Sequence, residues 1–176
     1  MKRLLTLLLA LLLLIFPASA EVDPPRSAYT LKDAHLYFHG PEDAPRIAIT
    51  MDDCYDIGCV EAALDLCLQN QILMTFFPIG AAIDPADGAI WRRMASEGHE
   101  IGNHTFGHQT LYKKSQYATG RQLARMEDAL AAALGAPHPM YLARPPYGKI
   151  KPGTSDIQSR MAKEGYPYLI MWNVDT

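Results

Sequence analysis

The chain has 176 residues, enough for one ordinary domain, and carries 16 basic against 19 acidic residues. Its formal net charge of −3, with the basic residues scattered, argues against nucleic acid as a partner, because binding to the phosphate backbone needs a basic surface. Hydrophobic residues make up 49% and aromatic residues 9% of the chain, which excludes a disordered or disulfide-framework protein and is typical of a packed globule.

The first 20 residues have the pattern of a secretory signal peptide. Lys2 and Arg3 precede a leucine-rich apolar run at residues 4–16, and residues 18–20 read A-S-A, an A-x-A cleavage site. A helix over this run is roughly 20 Å long, too short for a hydrocarbon core of about 30 Å. We therefore expect cleavage after Ala20, no stable membrane anchor, and a secreted or periplasmic protein.

An extended lead-in is expected at residues 21–34, and strand and helix patterns alternate after it. Short apolar runs predict strands at residues 47–51, 72–77, 100–104, 140–143 and 168–174, the first of them buried on both faces. Helical spacing of apolar residues, with capping residues at the ends, predicts helices at residues 59–69, 85–97, 115–134 and 155–164. This alternation indicates an α/β fold with parallel strands, either a (β/α) barrel or a doubly wound sheet. Both folds carry their chemistry at the C-terminal ends of the strands.

Two carboxylates, Asp52 and Asp53, directly follow the first predicted strand. Adjacent carboxylates repel each other, so a structure that places them at a buried rim must supply a cation or separate their roles. A turn in which the aspartates only accept hydrogen bonds is the alternative interpretation of this pair alone.

Two further groups of polar residues follow the third and fourth predicted strands. His104 and His108 form an H-x-x-x-H pair that can bind one metal ion if the chain turns at Gly107. Arg144 begins the segment R-P-P-Y-G, in which two prolines stiffen a loop that presents a guanidinium and a backbone N–H, although a plain rigid turn explains this segment equally well.

The three groups together predict metal-assisted hydrolysis. One carboxylate and two imidazoles make a three-ligand site for a divalent metal, with one position left open for water. The second carboxylate is then available as a general base. The arginine is expected to orient this carboxylate by pairing with it and to lower its pKa.

These segments closely resemble, in order and spacing, the motifs of a known family. The runs T-M-D-D at residues 50–53, H-T-F-G-H at 104–108 and R-P-P-Y-G at 144–148 are similar to the first three motifs of the polysaccharide deacetylases of the NodB-homology type, carbohydrate esterase family 4. The run W-N-V-D-T at residues 172–176 looks like the start of their fourth motif. The resemblance implies a distorted (β/α) barrel over residues 35–176 that hydrolyses acetyl groups on a polysaccharide.

The resemblance also implies a role for each matching residue. The expected ligands of a divalent metal, usually zinc, are Asp53, His104 and His108. Asp52 would be the general base and Arg144 its ion-pair partner. The backbone N–H of Tyr147 would help to stabilise the oxyanion, and Asp175 would belong to the pair that tunes the catalytic acid.

The sequence departs from the family pattern in two ways. It has no fifth motif with the histidine that serves the family as catalytic acid, and no closing strands after residue 176. We therefore expect a barrel that is incomplete at its C-terminus, either a fragment of a longer gene product or a degenerate relative. Cys54 stands where the family usually has glycine, and its side chain could narrow the substrate groove or alter the turn.

The three cysteines leave the disulfide pattern open, because an exported chain permits disulfides and the number is odd. Cys67 lies on an apolar helix face and is expected to be a core residue. If both are helical, Cys59 and Cys67 are about 12 Å apart, too far to bridge. A disulfide between Cys54 and Cys59 and a thiolate ligand from Cys54 are the remaining alternatives.

The leading interpretation is a deacetylase dependent on zinc or another divalent metal. Its substrate would be a cell-envelope or chitin-like polysaccharide that contains N-acetylglucosamine. The alternative is a non-catalytic glycan-binding remnant that kept the groove and lost the acid.

Overall fold

The computed structural model of the chain describes residues 31–43, 45–112, 114–150 and 156–175. The expected signal peptide and most of the expected lead-in lie outside the described residues. Among the described residues, no helix is both long and apolar enough to cross a membrane.

Six short strands within the described residues form two three-stranded sheets, and every pair of neighbours is parallel. The strands are β1 (His35–Tyr37), β2 (Thr50–Asp53), β3 (Thr75–Pro78), β4 (Glu100–Ile101), β5 (Leu142–Ala143) and β6 (Tyr168–Ile170). A bridge between Asn103 and Ala143 joins the sheet β2-β3-β4 to the sheet β5-β6-β1. The resulting order, β2-β3-β4-β5-β6-β1, is that of a partial (β/α) barrel, which confirms the expected fold class.

Four α-helices of the described residues pack on one face of the strands. They are α1 (Ile57–Asn70), α2 (Gly88–Ser96), α3 (Gln116–Leu134) and α4 (Asp156–Lys163). The α1 helix begins after Asp56, whose side chain accepts hydrogen bonds from the first-turn N–H groups. Ser115 caps α3 in the same way, and Gly135, with φ of 83°, ends that helix as predicted.

The core lies between the helices and the outer face of the sheet. Trp91 and Met94 of α2 are fully buried there, as predicted, together with Phe76 of β3 and Leu169 of β6. Because successive strand side chains point to opposite faces, Phe77 lies on the inner side of the sheet instead. The inner side is therefore where polar residues of the strand ends collect.

The structure corrects several predicted bounds. The first predicted strand is not buried on both faces, since Ile47 is 88% exposed and the strand begins only at Thr50. The reason is that β2 lies at one edge of the described sheet. The last predicted strand ends at Ile170 rather than Val174. Strand β1 was not predicted, because three residues without an apolar run carry no periodicity signal.

The end of the expected lead-in is docked on α4. Ala34 is buried, its N–H donates to the carbonyl of Gln158 at 3.1 Å, and the Gln158 side chain donates back to the Ala34 carbonyl at 3.0 Å. This pair of hydrogen bonds brings β1 alongside β6 at the other edge of the sheet.

Candidate active site

The chain makes a tight turn where β2 ends, at the two predicted site aspartates. The N–H of Cys54 donates to the carbonyl of Asp52 at 2.7 Å, and Asp53 between them has φ of 61°. An i to i+2 hydrogen bond around a positive φ is a rare, strained γ-turn. The turn ends the strand and keeps both carboxylates at the edge of the sheet.

The backbone of Cys54 is also in the left-handed region, with φ of 55°, and its side chain is buried. Glycine adopts this conformation without steric cost, whereas a side chain costs roughly 1 kcal/mol. Burial and the charges of Asp52 and Asp53 raise the pKa of the Cys54 thiol above its ordinary range. Among the described residues, the group whose ligand atoms lie close enough to share a metal does not include Cys54. Cys54, Cys59 and Cys67 are free thiols in the structure, without the disulfide that the spacing left open.

The loop after β4 brings the two predicted histidines together. Thr105 has φ of 69° and His108 has φ of 49°, so the loop turns twice through the left-handed region. The His104 ring is buried and its Nδ1 lies 2.6 Å from the carbonyl oxygen of Arg144. The two imidazole rings end with their centroids 4.9 Å apart.

Both histidines face the carboxylate of Asp53. Its Oδ1 lies 3.6 Å from Nε2 of His104 and 3.4 Å from Nε2 of His108. One ligand atom from each of the three residues fits within a span of 4.8 Å. A tetrahedral zinc ion with bonds of about 2.0–2.1 Å needs ligand atoms roughly 3.4 Å apart, which agrees with the two distances from Asp53 to the histidines.

Two further observations favour a metal here. Asp53 Oδ1 is buried and has no hydrogen-bond partner within the described residues, although a buried carboxylate oxygen normally has one. Burial lowers the pKa of His104 from 6.5 to about 4, so its imidazole is neutral near pH 7, as a ligand must be. These residues therefore fit a divalent metal ion.

The other aspartate is paired with the predicted arginine. Arg144 Nη1 donates to Asp52 Oδ1 at 2.5 Å and to Thr50 Oγ1 at 2.8 Å. Arg144 lowers the pKa of Asp52, as expected, but the net shift is upward. Burial raises the pKa of Asp52 above its usual value, and the attraction of Arg144 offsets only part of that rise.

Arg144 is fixed by the end of β6 as well as by Asp52. Its Nε donates to the carbonyl of Ile170 at 2.8 Å and its Nη2 to that of Met171 at 3.2 Å. The guanidinium carbon also lies 4.2 Å from the centroid of the Phe77 ring. A buried guanidinium with this many fixed partners holds the Asp52 carboxylate in one orientation.

The remaining two predicted residues lie at the rim. Tyr147 has φ of 62° in the turn Pro146–Gly148, and its half-exposed ring lies 4.5 Å from the ring of His108. Asp175 is exposed, yet its charge adds a smaller contribution to the raised pKa of Asp52. The structure thus brings all seven predicted site residues to one edge of the sheet.

The sequence argument assigned no role to two residues that organise this edge. Thr50 accepts a hydrogen bond from Arg144, and Asn103 uses its side chain inside the loop that carries the histidines. Thr50 could have been found from strand periodicity, because it lies two residues before Asp52 and so on the same face. Asn103 has only its position directly before His104 as a signal.

Comparison with known proteins identifies the family to which this geometry corresponds. The family model described as polysaccharide deacetylase matches residues 39–168. A peptidoglycan-N-acetylglucosamine deacetylase of Bacillus cereus is 33% identical over 139 residues, which are 79% of this chain and 48% of that protein. A chitooligosaccharide deacetylase of Bradyrhizobium is 31% identical over 129 residues, 73% of this chain and 56% of that protein. The chain therefore spans about half the length of these relatives.

Solved structures agree with the sequence matches. The crystal structure of a peptidoglycan N-acetylglucosamine deacetylase matches with a TM-score of 0.69 and 32% identity, covering 82% of this chain and 64% of that one. The partial barrel of this chain is thus of the type found in carbohydrate esterase family 4.

Proposed function

Because the chain belongs to the polysaccharide deacetylase family, we propose that it hydrolyses acetyl groups on an N-acetylated polysaccharide with the help of a divalent metal. Three of the relatives that match this chain are named as deacetylases of peptidoglycan N-acetylglucosamine, of chitooligosaccharides and of chitin. Their common substrate feature is an N-acetylated sugar in a polymer or oligomer. The proposed substrate is therefore a cell-envelope or chitin-like polysaccharide with N-acetylglucosamine units.

The observation that carries the proposal is that two adjacent carboxylates have different partners. Asp53 faces His104 and His108, whereas Asp52 faces Arg144. A hydrolase that uses a metal and a base needs a metal ligand and a proton acceptor near one acyl carbon. The different partners of these neighbouring carboxylates support this assignment of roles.

Asp53, His104 and His108 are the proposed ligands of zinc or another divalent metal. Such an ion, when bound, supplies Lewis-acid polarisation of the acetyl oxygen and lowers the pKa of a water molecule. The two imidazoles must be neutral for this purpose. Burial favours the neutral form of His104 by lowering its pKa, and the hydrogen bond between its Nδ1 and the carbonyl of Arg144 fixes the orientation of the ring.

Asp52 is the proposed general base. Its carboxylate would take a proton from the attacking water while Arg144 keeps the carboxylate oriented. A pKa above the usual aspartate range makes Asp52 a stronger proton acceptor than an exposed aspartate. The backbone N–H of Tyr147 would donate a hydrogen bond to the oxyanion. The negative charge of Asp175 would contribute to the raised pKa of Asp52. The reaction adds water and breaks the amide C–N bond, and the leaving nitrogen takes up the proton that Asp52 accepted from the water. The products are acetate and a free amine.

Acetate release tests the proposed function. The purified chain is incubated with N-acetylglucosamine oligomers and with peptidoglycan, after metal removal by a chelator and again after addition of Zn²⁺ or Co²⁺. We expect acetate only after metal addition, with an equal amount of new free amine. Binding of the oligomers is measured on the same samples. Tight binding with no acetate under any metal condition would overturn catalysis and favour a non-catalytic glycan-binding protein.

We also propose that residues 1–20 are a signal peptide and that residues 35–176 form the domain that is secreted or delivered to the periplasm. The basic start, the apolar run and the A-S-A site support export. Amino-terminal sequencing of protein recovered outside the cytoplasm should begin at Glu21. A mature protein that still begins at Met1 would overturn this assignment.

A further inference from the structure

Asn103 directly precedes the first histidine of the metal-binding loop, and its side chain is completely buried. Its Nδ2 donates to the hydroxyl oxygen of Tyr166 at 2.6 Å and to the carbonyl of Leu123 in α3 at 3.1 Å. Its Oδ1 accepts the N–H of Thr105 at 2.8 Å. The side-chain amide of Asn103 therefore connects the metal-binding loop to α3 and to Tyr166, which lies two residues before β6.

The hydroxyl of Tyr166 determines which way this amide faces. It donates its own proton to Oε1 of Glu127 at 2.5 Å, a charge-assisted hydrogen bond. The hydroxyl oxygen can then only accept, so Asn103 must present its NH₂ group to Tyr166. The amide oxygen is left for the N–H of Thr105. Glu127 thus acts on the loop through two intervening side chains.

Thr105 needs this support because its backbone conformation is sterically unfavourable. A β-branched residue at φ of 69° is an outlier, and such positions persist only where the surroundings hold them. The hydrogen bond from its N–H to Asn103 and the one from the Gly80 N–H to its carbonyl, at 3.0 Å, fix the peptide on both sides. This bend lets His104 and His108 face the same oxygen of Asp53.

We propose that Asn103, Tyr166 and Glu127 form a positioning network that holds the metal-binding loop in its ligating shape. None of the three belongs to the proposed ligand group of Asp53, His104 and His108, so they act through the loop that carries the two histidines. The inference rests on the metal site of the proposed function and extends it to Glu127 and Tyr166, which are far from His104 in the chain. It predicts that metal affinity depends on a buried tyrosine hydroxyl outside the site.

The test compares two tyrosine-to-phenylalanine variants by Co²⁺ titration, with visible absorption as the signal of ligand geometry. Tyr166→Phe removes the hydroxyl of the network. Tyr168→Phe removes a hydroxyl two residues later, from a ring that packs against His35 and Tyr37 at centroid distances of 6.2 Å. We expect Tyr166→Phe to weaken Co²⁺ binding roughly 10-fold and to change the absorption bands, as removal of outer-shell partners of a metal ligand does. Tyr168→Phe should match the wild type.

A network with a purely structural role would change the stability of the protein but not its Co²⁺ binding. Variants of Glu127 test the third member of the network. Glu127→Gln keeps an oxygen acceptor for the tyrosine and should bind Co²⁺ within a few-fold of the wild type, whereas Glu127→Ala should resemble Tyr166→Phe. Tyr166→Phe with a lower midpoint of thermal unfolding but wild-type Co²⁺ affinity and spectrum would overturn this inference alone. A wild-type chain that binds no Co²⁺ would overturn the metal site of the proposed function, and the inference with it.

Discussion

Asp52 and Asp53 are neighbours in the chain, but their carboxylates have different partners. Asp52 Oδ1 accepts a hydrogen bond from Arg144 at 2.5 Å, and Asp53 Oδ1 lies 3.4 Å from His108 Nε2. An extended strand would already point the two side chains to opposite faces, one of them into the helical core. The positive φ of Asp53 ends the strand and keeps both carboxylates at the edge of the sheet.

Loss of the two histidines should abolish metal binding. In the double variant His104→Ala/His108→Ala, one carboxylate remains of a three-ligand set, and a single carboxylate binds Zn²⁺ weakly. Elemental analysis after dialysis should find about one metal per wild-type chain and almost none in the variant. His39→Ala is the matched control, since that exposed histidine is outside the Asp53 group. Equal metal content in wild type and double variant would disprove the site.

Replacement of Asp52 should separate catalysis from metal binding. Asp52→Asn keeps the size of the side chain and a hydrogen-bond acceptor for Arg144, but it cannot take up a proton as a base does. We expect metal content to stay at the wild-type level while the rate of acetate release falls by about two to four orders of magnitude. If the variant loses its metal instead, the roles of Asp52 and Asp53 have been exchanged.

The convergence of the site residues was predictable because parallel strands bring their C-terminal ends to one edge of the sheet. Asp53 and His104 belong to strand ends, so their proximity follows from the order of the strands. The direction of the pKa shift of Asp52 was not predictable, because a sequence shows an arginine partner but not the depth of burial that outweighs it. The Asn103 network was equally hidden, since Tyr166 and Glu127 approach it only through the packing of α3 against the sheet.

Arg144 should be more important for stability than its charge alone suggests. Arg144→Lys keeps the positive charge but has a single nitrogen, which cannot reach Asp52 and the carbonyls of Ile170 and Met171 together. Buried carbonyls left without a donor should cost about 1–3 kcal/mol in the free energy of unfolding. Urea unfolding measures this loss. The exposed Arg121→Lys should leave the midpoint unchanged, and an equally unchanged Arg144→Lys would contradict the importance of the forked geometry.

The three thiols should differ in reactivity in the native protein. Cys59 is exposed, whereas Cys54 and Cys67 are buried. The pKa of every one of these thiols is raised, first by burial at Cys54 and Cys67 and first by the charge of Asp56 at Cys59, so exposure is what distinguishes them. Brief iodoacetamide treatment at neutral pH followed by peptide mapping should therefore label Cys59 first, and all three after unfolding. A peptide in which Cys54 is linked to Cys59 would instead support the disulfide that the spacing left open.

Gly102 should be a position where even one methyl group is not tolerated. A Cβ atom there would overlap Cε1 of Phe77 and would lie 3.1 Å from the carbonyl oxygen of Leu142. Phe77 cannot retreat freely, because the guanidinium of Arg144 lies over its ring. Gly102→Ala must therefore push on the ring that supports the Asp52–Arg144 pair, and we expect a loss of about 1–3 kcal/mol in the free energy of unfolding.

Gly40→Ala is the matched control for this substitution, because a Cβ atom at Gly40 meets nothing within 4 Å. Urea unfolding of both variants measures the difference, and Gly40→Ala should stay close to the wild type. Acetate release should also fall in Gly102→Ala, at temperatures where the variant is still folded, because a displaced Arg144 no longer orients Asp52. If Gly102→Ala unfolds at the wild-type midpoint, the Phe77 ring has room to move, and the inner face of the sheet is less tightly packed than the distances to Gly102 indicate.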